Sequence, residues 1–72
     1  MSISVTFSVS VNGERRKVAS GTSLEAVVRS LVAAPSGVAA AVNETVVPRA
    51  QWAGTTLSEG DRVEILTAVQ GG

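Results

Sequence analysis

Ile3-Ser4-Val5-Thr6-Phe7-Ser8-Val9-Ser10-Val11-Asn12-Gly13 is the stretch that decides the fold. Apolar residues alternate with Ser and Thr from Ile3 to Val11, a period of two that puts one face of a strand inward and one in water. Asn12-Gly13 then follows. Both residues tolerate positive φ, and such a pair after an alternating segment is the strongest short hairpin signal. A return strand is predicted from about Arg15 to Ala19 with Val18 inward. Its register stays open, because Glu14 and Arg15 fit either the loop or the strand.

Thr22-Ser23-Leu24-Glu25 comes next and matches a capping box, in which the Thr22 hydroxyl and the Glu25 carboxylate satisfy free backbone N–H groups at a helix start. Leu24, Val27, Val28 and Leu31 recur at i, i+3, i+4 and i+7, one apolar stripe over roughly three turns. Glu25 and Arg29 form an i, i+4 pair on the wet side, worth about 0.3 kcal/mol. Ala33-Ala34-Pro35-Ser36-Gly37 ends the helix, since proline disfavours helical dihedrals in the residue before it.

Beyond the helix, Val38 to Val42 reads as a buried strand, Asn43-Glu44 as a turn and Thr45-Val46-Val47 as a short return strand closed by Pro48. Pro48-Arg49-Ala50-Gln51-Trp52 reads as a helical turn with Pro48 at its first position. Leu57 to Asp61 makes another turn, and Arg62 to Gln70 is a final β-branched strand. The order is β-β-α-β-β-β. One helix and five short strands bury their apolar faces together only if the sheet curls over the helix, so the expected class is two-layer α+β with a mixed sheet. Residues 1–72 are expected to make a single domain, with 1–6 either a lengthening of the first strand or an N-terminal extension, and 70–72 a flexible tail.

Composition removes several functions. A chain of 72 residues buries only about 60% of the surface its unfolded form exposes, which leaves no deep enclosed site. Apolar residues at 44% and charged residues at 17% suit a globule rather than a disordered segment. Six basic and six acidic side chains cancel, and the only basic run is Arg15-Arg16-Lys17. Nucleic-acid binding is not expected without a basic excess or aromatic stacking platforms; the run reads as a solvated strand face or a dock for an acidic partner. Cysteine and histidine are both absent, which removes thiolate and imidazole metal sites, Cys-His nucleophiles and the usual general base. No metal site, bound cofactor or independent catalysis is expected. The N-terminal residues lack a secretory pattern, and the longest apolar run, Val38 to Val42, falls far short of the ~20 residues that cross a bilayer. A cytoplasmic protein without membrane contact is the expectation.

The sequence ends Gly71-Gly72. Glycine fits where a Cβ would clash and adopts nearly any φ/ψ, so a thin arm of this kind can enter a narrow channel and place its last carbonyl carbon among another protein's catalytic groups. The competing reading is a terminus that simply frays.

The element order with a terminal Gly-Gly resembles the ubiquitin-like β-grasp superfamily, in which the first and last strands lie side by side in mid-sheet. Within it, Val47-Pro48-Arg49 with Trp52, Gly60-Asp61, Val63-Glu64-Ile65 and Gly71-Gly72, together with Asn12-Gly13-Glu14 and Gly21-Thr22, resemble the ThiS family, the sulfur carriers of thiamine biosynthesis. The match begins near Phe7; the residues before it are a departure from the family pattern. The resemblance implies that a ThiF-like adenylating enzyme uses ATP and magnesium to activate the Gly72 carboxylate. A persulfide donor then supplies sulfur, and the Gly72 thiocarboxylate passes it to a ThiG-like thiazole synthase. Gly71 serves threading and Gly72 chemistry, so the chain is a protein cosubstrate and not an enzyme.

Leu66 and Ala68 follow from periodicity. If Val63, Ile65, Thr67 and Val69 face the helix, these two residues emerge on the opposite sheet face and form a candidate partner surface. Trp52 reads as a core-edge residue or a partner anchor, Arg49 as a partner for an acidic surface, and Gly60-Asp61 as turn chemistry. Three alternatives to the sulfur carrier of thiamine synthesis stay open: a molybdopterin synthase small subunit, a protein modifier joined to lysine, and a noncovalent adaptor.

Overall fold

The structure, a computed structural model, describes residues 5–33 and 37–67. Asn12 and Gly13 take φ of 51° and 83°, so the first hairpin closes on a two-residue loop whose twist matches its strands. Val11 consequently pairs with Glu14. That settles the register: β1 is Thr6–Val11 and β2 is Glu14–Ala19. The alternation is truncated at its start, because Val5 is 61% exposed and precedes the strand. Ile3 and Ser4, like the rest of 1–4, lie outside the described residues, as do 34–36 and 68–72.

Helix α1 spans Leu24–Leu31. Its cap sits one residue later than the predicted box: the Ser23 hydroxyl, not that of Thr22, accepts the Ala26 N–H at 3.1 Å. Thr22 instead donates its hydroxyl to Ala19 O at 2.6 Å, which ties the end of β2 to the helix start. With Ser23 as cap, the position three residues on is Ala26, so no reciprocal carboxylate closes a box. The other early N–H groups find backbone partners. Leu24 donates to Thr55 O at 2.8 Å, Glu25 to Trp52 O at 3.3 Å and Val27 to Ser23 O at 3.3 Å. The N–H groups of Leu24, Glu25 and Ala26, which have no partner within the helix, are thus satisfied from outside its ladder, and the Val27 bond to Ser23 O is the first of the ladder itself.

The predicted Glu25–Arg29 pair forms at 3.8 Å. The stripe is shorter than predicted. Leu24, Val27 and Val28 are buried, whereas Leu31 is 39% exposed, because Val32 turns to extended dihedrals and ends the helix ahead of Ala33.

Strands β3 (Val38–Val42) and β4 (Thr45–Val47) join through Asn43 and Glu44, both at positive φ. A 3-10 helix at Arg49–Gln51 follows, with Pro48 as its cap rather than its first residue. The last strand, β5, is Arg62–Thr67. Sheet order is β2-β1-β5-β3-β4, with β5 parallel to β1 and antiparallel to β3. The first and last strands are therefore neighbours in mid-sheet, as expected.

One face of this sheet carries the core. Val9, Val11, Ala40, Val63 and Ile65 meet Leu24, Val27 and Val28 of α1, and Trp52 and Leu57 close the side. Burying a side chain of this size contributes about 1.5–3 kcal/mol relative to exposure. Within β3 only Ala40 is fully buried, so that strand alternates instead of being buried throughout.

Candidate functional site

Strand β5 leads to the tail, and its neighbours grip it from both sides. On the β3 side pairing continues from Val42↔Val63 to Val38↔Thr67. On the β1 side backbone pairing ends at Val11↔Val63, where β1 turns away into the hairpin. Asn12 extends the grip. Ser10 N–H donates to Asp61 O at 3.0 Å and Asn12 N–H to Val63 O at 2.9 Å. The next acceptor along β5, Ile65 O, receives the Asn12 side-chain Nδ2 at 3.2 Å, and Ile65 N–H donates to Asn12 Oδ1 at 2.8 Å. The amide acts as one further rung of the parallel ladder.

Asn43 holds the start of β5 in a similar manner. Its N–H donates to Arg62 O at 2.7 Å, its Oδ1 accepts Arg62 N–H at 3.0 Å, and its Nδ2 donates to Asp61 Oδ1 at 3.0 Å. Asp61 also caps its own turn by accepting Ser58 N–H at 2.8 Å. Sequence reasoning read Asn12 and Asn43 only as turn formers. The signal available was the residue type: an amide offers a donor and an acceptor together, which Gly and Asp do not.

Leu66 emerges where predicted, 68% exposed on the sheet face away from α1. Ala39 is its cross-strand partner. Val46, 70% exposed, adjoins through Ala41, and Ala39, Ala41, Val46 and Leu66 line a shallow depression of about 270 Å³ flanked by Glu44 and Glu64. Val63 and Ile65 are buried against the helix layer as expected, but Thr67 is exposed. Ala68, Val69, Gly71 and Gly72 lie outside the described residues.

Trp52 is not a surface anchor. It is 2% exposed, and its Nε1 donates to Val47 O at 2.8 Å, so it closes the core and fastens β4 to the following loop. Arg49 is exposed and forms none of the ion pairs among the described residues. Also among the described residues, no three acidic side chains gather as a metal site would require, and no helix is long and apolar enough to cross a membrane.

A five-stranded mixed sheet over one helix, with β1 beside β5, is the scaffold the family resemblance implies, and the ThiS family profile matches residues 9–72. The chain belongs to the ThiS family. It is 30% identical over 61 residues to the sulfur carrier protein ThiS of Escherichia coli (strain K12), covering 85% of this chain and 92% of that one. The crystal structure of a thiamine biosynthesis protein (ThiS) from Geobacter metallireducens superposes with a TM-score of 0.78 at 30% identity, over 92% of this chain and all of that one. A thiazole synthase of Magnetococcus marinus is 34% identical over 64 residues, 89% of this chain. The chain spans 20% of that protein's length. The ThiS match runs through Gly71, singled out for threading, and Gly72, singled out for chemistry.

Proposed function

We propose that this chain is a sulfur carrier of thiamine biosynthesis, acting in the cytoplasm through the Gly72 carboxylate. The observation that carries the reading is the ThiS match, which extends from the core strand at Val9 to Gly72.

A carboxylate is a poor electrophile, because its leaving group would be oxide. An adenylating partner of the ThiF kind therefore uses magnesium-bound ATP to form a Gly72 acyl-adenylate and release pyrophosphate. The terminal sulfur of a persulfide on another protein attacks the adenylate and displaces AMP, which leaves an acyl disulfide. A thiol of a partner protein then attacks the S–S bond, is oxidised to a disulfide with the former persulfide cysteine, and releases the Gly72 thiocarboxylate. By analogy with the thiolate, its sulfur is the better nucleophile. Thiazole synthase takes that sulfur into a ring, and the carrier returns as a carboxylate. All catalytic groups reside on partners, so this chain is a cosubstrate.

Two further observations support the partners. The Magnetococcus protein, by name a thiazole synthase, contains a segment resembling this chain within one polypeptide. The apolar face around Leu66 and Val46 is also exposed, on and beside the strand that leads to the tail, a suitable dock for the activating enzyme and the synthase. Intact mass after incubation with the cell's activating enzyme, ATP and a sulfur source tests the reading. Replacement of one oxygen by sulfur is expected. Covalent ladders to other proteins on a denaturing gel would favour a modifier, and no mass change would sink the carrier assignment.

A further inference from the structure

Asn12 combines three properties that the sulfur chemistry does not use. It is exposed, it precedes Gly13, and its side-chain amide is held at both ends by Ile65. Gly13 carries no side chain to crowd its own backbone nitrogen, and the space where a Cβ would sit has nothing within 4 Å. We propose that Asn12 is a site of spontaneous deamidation, that docked β5 protects it, and that its conversion loosens β5 in turn.

The chemistry balances with water alone. The Gly13 backbone nitrogen loses its proton and attacks Asn12 Cγ; a C–N bond forms, the Cγ–Nδ2 bond breaks and ammonia departs. The resulting five-membered imide is opened by water at either carbonyl to give aspartate or isoaspartate. Nothing is oxidised or reduced. While Oδ1 and Nδ2 both sit on Ile65, Cγ is not free to swing toward Gly13, so the reaction waits for this end of β5 to open. The other asparagine in the chain, Asn43, also sits in a two-residue turn with its amide engaged, but Glu44 follows it, and the Glu44 side chain crowds the attacking nitrogen. Asn43 is the internal comparison.

The product cannot restore the clamp. Aspartate at position 12 still accepts Ile65 N–H, yet it presents a second oxygen to Ile65 O where Nδ2 donated. Isoaspartate routes the backbone through Cβ, lengthens the hairpin connection by one carbon and withdraws the carboxylate. This chemistry is independent of what Gly72 carries.

The test incubates the full chain at mildly alkaline pH, natively and in urea, and follows intact mass and peptide maps. Conversion is expected at Asn12 ahead of Asn43. It should be at least about tenfold slower in the native protein, the factor corresponding to about 1.4 kcal/mol of protection. Equal rates in the two solvents would overturn the gating, and conversion at Asn43 first, or none at Asn12 in urea, would overturn the site. Amide exchange at Ile65 should accelerate in Asn12→Asp and in the aged native protein separated by ion exchange. The aged protein serves if the variant does not fold, and unchanged exchange at Ile65 would overturn the coupling.

Discussion

The side chain of Asn12 pairs with both backbone groups of Ile65, at 2.8 Å and 3.2 Å, across 53 residues of sequence. A turn residue thereby becomes part of the sheet, at the point where the strand leading to the tail would otherwise lose its neighbour on one side.

Asn12→Gly isolates that contribution. Glycine accepts the positive φ at this position without strain, so the substitution deletes the clamp while keeping the turn. It leaves the Ile65 N–H and C=O without their partners, a loss of about 1–3 kcal/mol. For a domain of this size each kcal/mol lowers the melting temperature by about 4–8 °C. Thermal unfolding and amide exchange at Ile65 measure it; a melting temperature within a degree of the parent would mean that water replaces the amide at no cost.

Trp52 is predicted to report on the core. Its indole is buried and bonded to Val47 O, so its fluorescence should be blue-shifted and poorly quenched by acrylamide. Trp52→Ala should cost about 3–5 kcal/mol, enough to unfold much of the population of a marginal domain. Ready quenching in the folded protein would place the ring at the surface.

At the helix start, Ser23→Ala should cost about 1 kcal/mol and speed exchange at Ala26, whereas Thr22→Val should leave Ala26 protected and disturb only the link to Ala19. Equal loss of Ala26 protection in both variants would return the cap to Thr22. The one-residue error here is instructive. Strand alternation, the Asn12-Gly13 loop and the Leu24, Val27, Val28 stripe are local patterns, and the structure follows them. Which of two adjacent hydroxyls caps the helix depends on Ala19, Thr55 and Trp52, which are brought there by other elements. The exposure of Leu31 and Thr67 likewise depends on which other elements cover them, which local periodicity does not state. Asn12 was legible as a turn but not as a clamp, because its partner lies 53 residues away.

The outward face of β5 separates binding from folding. Leu66 is 68% exposed, and an exposed substitution away from special features changes stability by about 0.5 kcal/mol or less. Leu66→Glu adds a third carboxylate beside Glu44 and Glu64 on the depression. It should weaken binding to the activating enzyme or the thiazole synthase by at least about tenfold, or 1.4 kcal/mol, with little shift in melting temperature. Intact binding alongside a large drop in melting temperature would assign Leu66 to packing.

Gly71→Val asks whether the chain's end must be slender. The core among the described residues draws on Val9 to Ile65, none of which the substitution alters, and the melting temperature should hold within about a degree, as for a surface change of under 0.5 kcal/mol. Valine adds a branched Cβ and stiffens the backbone. Both effects oppose passage through a channel fitted to glycine. ATP–pyrophosphate exchange catalysed by the activating enzyme should therefore fall to background, as it should when Gly72 is deleted. The two variants fail differently: Gly71→Val keeps the terminal glycine carboxylate and loses access, whereas the deletion moves the carboxylate one residue back. Normal exchange with Gly71→Val would show that the partner's channel tolerates a side chain there, and the requirement for glycine would then rest on Gly72 alone.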